Sequence, residues 1–282
     1  KILFRKKMQL CNGLFIPQLA FGMYNIPPEK SEEVVLQAIE AGYRHFDTAS
    51  YYQNEEGLGK AILKSGLPRK EFFICSKVWN DAQKEGRAAV RKSLEKSLDD
   101  LQCDYLDLYL VHWPVPGHHI ETYKEMELLW NEGKVKSIGL SNYTPKEYED
   151  LCASGISVKP VTNQMEVSPF MYRPKVIHYF QSRDIIVSAS KALHRAIPFQ
   201  QNILKTLAIQ YKVSPAQIML RWGIQKNCVI IAKTATPSRM YENRNVYSFV
   251  LSDEDMKILD DLTTLDDIIK RQNREIATKM SM

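Results

Sequence analysis

The sequence has no run of about 18 apolar residues, so it lacks an ordinary membrane-spanning helix. Its first residues also lack the apolar core of a secretion signal, which makes a cytoplasmic protein the expectation. The five cysteines, Cys11, Cys75, Cys103, Cys152 and Cys228, are odd in number, far apart and without CxxC spacing. That pattern argues against a disulfide framework and against a thiolate zinc site, and it leaves buried reduced thiols as the expectation. His118 and His119 adjoin, but no third ligand stands near them, so no metal is expected. Basic runs are missing too. Net charge is +5, yet Lys and Arg are scattered among acids, and the longest cluster, Arg5 to Lys7, is short and without interleaved aromatics. The balance suits an anionic small molecule and not a nucleic acid. Glycine-rich phosphate loops are absent: the first strand region reads Leu19 to Asn25 (LAFGMYN) with no GxGxxG, and Gly57 to Lys60 is no Walker A loop.

What the sequence does have is length and alternation. With 282 residues, 44% of them hydrophobic, it is expected to form one domain over 1–282. After an expected hairpin near Met8 to Phe15, short apolar runs recur at Leu19 to Gly22, His45 to Asp47, Phe72 to Lys77, Leu106 to His112, Val135 to Ser141, Val161 to Glu166, Ile185 to Ser188 and Val229 to Ala232. Amphipathic stretches separate them. Val34, Val35, Ala38 and Ile39 share one helical face, as do Val90, Leu94, Leu98 and Leu101. Gly42 is placed to end the first helix, Ser214, Pro215 and Gln217 form a capping box, and Ser252 with Asp255 opens another helix. Such alternation fits a closed (β/α)8 barrel or an open doubly wound sheet; eight units and the missing fingerprint favour the barrel.

In a barrel, the C-terminal strand ends and the loops after them converge on one site. Asp47 closes the second strand, Tyr52 follows it, Lys77 closes the third and His112 the fourth. A neighbouring ammonium favours a phenolate, so Lys77 is expected to make Tyr52 more acidic, with Asp47 keeping Lys77 charged. His112 is placed to orient a substrate carbonyl. Singly, each has an ordinary reading as helix cap, snorkelling lysine or rim packing. Together, on three consecutive loops, they make a proton-donating assembly. A Schiff-base lyase using Lys77 is the other chemistry a buried lysine permits.

Phe46 to Glu55 (FDTASYYQNE) followed by Gly59 resembles the DTAxxYxNExxxG motif of the aldo-keto reductases. Ser76 to Trp79 (SKVW), Leu110 to Pro114 (LVHWP), Gly139 to Asn142 (GLSN) and Ile231 to Asn243 agree with that family in order, over nearly the whole chain. The resemblance implies a (β/α)8 barrel that reduces aldehydes or ketones with NADPH. It implies Tyr52 as general acid, Lys77 and Asp47 as tuning residues and His112 as the carbonyl-orienting group. It implies that Ser141, Asn142 and Gln164 hold the nicotinamide amide, that Lys233, Thr234 and Arg239 surround the adenosine 2′-phosphate, and that Glu242 and Asn243 lie near adenine. Tyr24, Trp79, His112 and Trp113 would line the substrate pocket, and a monomer is the family's default.

The chain also departs from the family pattern. Where an aromatic residue usually stacks on the nicotinamide, in a Tyr-Ser-Pro-Leu run, this chain has Ser190 to Leu193 (SKAL). Met23 and Tyr24 stand where Thr-Trp is common. The tail after Leu265 reads as short and polar, which implies a shallow, open site. These departures motivate an alternative, an NADP(H)-binding sensor on the same barrel with little catalysis.

Overall fold

The computed structural model describes residues 6–280. Eight parallel strands close into a barrel in the order β10-β3-β4-β5-β6-β7-β8-β9. They are β3 (Leu19–Gly22), β4 (His45–Asp47), β5 (Phe73–Val78), β6 (Leu108–Val111), β7 (Ile138–Ser141), β8 (Thr162–Glu166), β9 (Ile186–Ser190) and β10 (Val229–Ala232). The antiparallel pair β1 (Lys7–Gln9) and β2 (Phe15–Pro17) precedes them, with Lys7 opposite Pro17. All eight expected strands and the hairpin are present. Leu106 and Val135, expected at the starts of strands, make only an isolated bridge, and beside it the Asp107 carboxylate accepts from Ile74 N at 3.0 Å and from Arg69 at 2.8 Å.

Helices wrap the barrel: α1 (Pro28–Glu40), α2 (Glu55–Lys64), α3 (Asn80–Glu85), α4 (Arg87–Leu101), α5 (His119–Asn131), α6 (Pro145–Ala153), α7 (Pro174–Gln181), α8 (Asn202–Tyr211), α9 (Pro215–Gln225) and α10 (Pro237–Arg244). Two more, α11 (Asp253–Asp260) and α12 (Leu265–Met280), follow the last strand. The expected apolar faces of α1 and α4 are buried. Gly42, at φ +98°, ends α1 as only glycine does without strain. Ser214 and Gln217 complete the expected capping box, and Ser252 accepts from Asp255 N. Of the cysteines, Cys75 and Cys228 are buried, but Cys11 and Cys152 are exposed, contrary to expectation.

Strand periodicity positions the site. Successive residues of a strand face opposite ways, so inward and outward sets separate. Phe73, Cys75, Leu108, Leu110, Ile186 and Val229 pack inside the barrel with Leu10 and Ile16 of the hairpin. Phe46, Ile74, Val78, Ile138, Leu140 and Val187 instead join the larger core beneath the helices. Stepping two residues on from the inward set leads from Cys75 to Lys77, from Leu110 to His112 and from Ile186 to Ser188 and Ser190. The barrel is therefore apolar at the hairpin end and polar at the other.

Candidate active site

Lys77, the last inward residue of β5, is wholly buried. Its Nζ lies 2.8 Å from Asp47 Oδ1 and donates to the Thr48 carbonyl at 2.6 Å. The second Asp47 oxygen accepts from Gln164 Nε2 at 2.6 Å. Burial alone would pull the Lys77 pKa down, but the Asp47 charge and the Tyr52 phenol outweigh it, and the ammonium is held above its ordinary value. Half-buried Tyr52 faces this pair, its ring centroid 5.1 Å from Lys77 Nζ and 5.7 Å from the His112 ring. Burial raises the Tyr52 phenol, Lys77 lowers it, Asp47 raises it again, and the balance stands at about 12. The expected effect of Lys77 is present, but desolvation exceeds it, so Tyr52 is less acidic than a free phenol and stays fully protonated at neutral pH. For His112, burial first and Lys77 second push the pKa well below its ordinary value. The imidazole is neutral, and its Nδ1 is buried with no hydrogen-bond partner among the described residues.

The loop that carries Tyr52 is fixed at both ends. Thr48 Oγ1 donates to Asn54 Oδ1 at 3.0 Å, while Asn54 Nδ2 donates to the carbonyls of Met23 at 2.9 Å and Ile26 at 3.0 Å. Next to it, buried Glu55 accepts from Ser76 Oγ on β5 and from Ser97 Oγ on α4. These residues of the sequence motif are scaffold: they tie the loop after β4 to the loop after β3, to β5 and to α4.

Aromatic rings wall the mouth. Tyr24 lies with its centroid 5.1 Å from that of Tyr52, and Trp79 meets His112 edge-on at 4.8 Å. Tyr51 stacks on Trp79 at 3.9 Å with planes 19° apart. That stack braces Trp79, and only the Tyr51-Tyr52 pair signals it in sequence.

A second group runs outward from the same mouth. Ser141 and Asn142 end β7 beside Gln164 of β8, and Asn142 N donates to the Gln164 carbonyl at 2.7 Å. Ser190 ends β9, with half-buried Leu193 in the turn beyond it. Lys191, between them, has φ +50° and sits 3.0 Å from Glu166, so its ammonium is engaged there and does not replace a stacking ring. Farther round, Thr234 is buried, and exposed Lys233 and Arg239 flank the start of α10, where two cations side by side could pair with a phosphate. Glu242 accepts from Ser214 Oγ and so also anchors α9. Asn243 is buried, and its Oδ1 accepts no hydrogen bond from the described residues. Asn243 lies near the end of α10, about one turn from Arg239.

The aldo/keto reductase family model matches residues 18–264. The chain belongs to the aldo/keto reductase family. This reductase is 39% identical over 253 residues to the methylglyoxal reductase DkgA of Salmonella typhimurium, which covers 88% of this chain and 90% of that protein. It is 37% identical over 256 residues to the glyoxal reductase of Bacillus subtilis, covering 90% and 92%. Among solved structures, an aldo/keto reductase from Brucella melitensis superposes with a TM-score of 0.86 at 37% identity, over 91% of this chain and 99% of that one. An aldo-keto reductase from Bombyx mori, solved in complex with NADP, gives 0.86 at 30% identity and 92% coverage of both.

The polar tail of the reductase folds as the 16-residue helix α12. Arg271 of α12 is buried against the site: its guanidinium carbon lies 5.5 Å from the Trp113 ring centroid, and Nη2 donates to Asn142 Oδ1 at 2.8 Å. Two ion pairs hold it, Nη1 to Glu166 at 3.2 Å and Nε to Glu275 at 2.8 Å. The signal that could have revealed this helix is Thr264-x-x-Asp267, whose side chains and backbone N–H groups satisfy one another reciprocally. Among the described residues no helix is long and apolar enough to cross a membrane, and no cluster of three metal-ligating side chains occurs.

Proposed function

We propose that this aldo-keto reductase uses NADPH to reduce small aldehydes, 2-oxoaldehydes of the methylglyoxal type foremost, with Tyr52 as the general acid. The observation that carries the reading is the meeting of Tyr52 with the buried Lys77–Asp47 pair and neutral His112 at one barrel mouth. When bound, NADPH supplies the hydride that the carbonyl carbon accepts. The protein does the rest. His112 donates a hydrogen bond that orients the carbonyl oxygen, and Tyr52 gives that oxygen its proton. A phenol at about 12 serves this purpose because an alkoxide is a far stronger base than a phenolate. Lys77 lowers the cost of the phenolate left behind, and Asp47 keeps Lys77 charged.

Several observations support the cofactor. Ser141, Asn142 and Gln164 offer hydrogen bonds to a carboxamide, Lys233, Thr234 and Arg239 suit a 2′-phosphate, and Asn243 offers its free acceptor to adenine. The family and the relative with bound NADP agree with this choice. The names of the curated relatives point to methylglyoxal and glyoxal, and the ring-walled mouth suits small planar dicarbonyls.

The test is NADPH consumption with methylglyoxal and a panel of simple aldehydes, run beside direct NADPH binding. Tyr52→Phe is expected to lose about 10² to 10⁴ in turnover while still binding NADPH. A mutant within threefold of the parent refutes Tyr52 as the acid. Binding without consumption in the parent favours the sensor alternative, whose motive is the missing aromatic at Ser190.

A further inference from the structure

We infer that Arg271, delivered by the C-terminal helix, is a positioning residue for the nicotinamide carboxamide and acts through Asn142 and Ser141; the inference rests on the NADPH reading above.

A guanidinium as deeply buried as that of Arg271 needs counter-charges, and Glu166 and Glu275 supply them. The Glu166 pair reaches from α12 to the barrel, and Lys279 to Glu147 at 2.6 Å and Arg173 to Glu275 at 3.6 Å dock the helix as well. The remaining nitrogen, Nη2, does something further: it donates to Asn142 Oδ1 at 2.8 Å. Asn142 is otherwise fixed, with φ +61° and its backbone N–H on Gln164, so only its side-chain amide is left to orient. Its Nδ2 donates to the His112 carbonyl and to Ser141 Oγ, both at 3.0 Å. A flipped amide would set N–H against guanidinium N–H, and Arg271 thereby selects the observed orientation.

The result is a directed chain. Arg271 donates to Asn142, Asn142 donates to Ser141, and Ser141, having accepted, keeps its own hydrogen for a ligand. Each donor in such a chain strengthens the next, and a cation at its head strengthens it most. The acceptor that fits at the end is the carboxamide oxygen of the nicotinamide, and the residue that heads the chain lies in a helix outside the barrel repeat.

The test compares binding of NADP+ with that of its thionicotinamide analogue, whose sulfur accepts hydrogen bonds poorly, by fluorescence titration. The parent is expected to prefer NADP+. Arg271→Met should reduce that preference by about threefold to tenfold, and Arg271→Lys should restore part of it. Adenosine 2′,5′-bisphosphate, which has no nicotinamide, should bind all variants equally. Ser141→Ala should lose at least as much as Arg271→Met, and the double variant should lose nothing beyond Ser141→Ala. An unchanged preference in Arg271→Met, or additive losses in the double variant, overturns the inference. If Arg271→Met does not fold, Arg271→Lys combined with Ser141→Ala carries the same cycle. A parent that binds neither NADP+ nor the bisphosphate defeats the NADPH reading itself, a result distinct from an unchanged preference.

Discussion

Replacing Asp47 with Asn probes the centre of the site through stability. The side chains of Lys77 and Asp47 are 0% and 6% exposed, so the substitution strands an ammonium with only neutral oxygens around it. Breaking a buried pair in this way costs about 3–5 kcal/mol. Lys77 has one escape, which is to lose its proton, and that sets a ceiling on the penalty. Neutralising a lysine of ordinary pKa about 10.4 costs about 4.6 kcal/mol near pH 7 but only about 1.9 near pH 9, at about 1.36 kcal/mol per pH unit. In the parent, the Lys77 pKa is raised, so its contribution is intact throughout this range and is lost only as pH climbs past the ordinary lysine value. In Asp47→Asn the folded protein holds Lys77 neutral while the unfolded chain binds a proton, so the variant gains stability as pH rises. Urea unfolding of both proteins near pH 7 and pH 9 should show a difference of about 3–5 kcal/mol shrinking to about 2 kcal/mol or less. A difference that stays constant between the two pH values, or one below about 1 kcal/mol near pH 7, refutes the isolated buried pair.

Burial lowers the His45 pKa from 6.5 to about 4 while its Nδ1 meets the Pro17 carbonyl at 2.9 Å. Its contribution, about 3 kcal/mol, is therefore complete above pH 6.5 and is lost as pH falls toward 4, and His45→Gln should flatten that part of a stability-versus-pH curve relative to the parent. On α2, a Cβ at Gly59 would sit 2.6 Å from the Leu101 carbonyl oxygen and 2.8 Å from that of Asp100. Because backbone cannot swing aside, Gly59→Ala should cost about 1–3 kcal/mol, read as a lowered melting temperature. Ser190→Tyr should tighten NADPH binding by about twofold to tenfold through ring stacking, and a titration showing equal or weaker binding would count against that use of the position.

The barrel was legible because strand and helix periods alternate without interruption; Asp47, Lys77 and His112 were legible because each closes an inward row, and Tyr52 because it follows Asp47 in the next loop. Stepping by two from Cys75 to Lys77, or from Leu110 to His112, needs no coordinates. The net acidity of Tyr52 could not be read this way. Its sign depends on whether desolvation or the Lys77 charge is larger, and burial is a property of the assembled mouth. Tyr51 against Trp79 and Arg271 against Asn142 were hidden for a similar reason, since residues 28 and 129 positions apart meet only after the chain closes. For α12 the polar composition concealed the helix, because its charges pair with one another and with the barrel instead of facing water alone.

The hairpin at the start of the chain gives the molecule a floor. Leu10 and Ile16 stopper the apolar end, so a molecule that reaches Gln164 or Asp47 must pass the ring-lined rim at the other end and leave by the same way. Traffic through one door imposes a queue: whatever lies against the strand ends has to arrive before, and depart after, whatever rests among the outer rings.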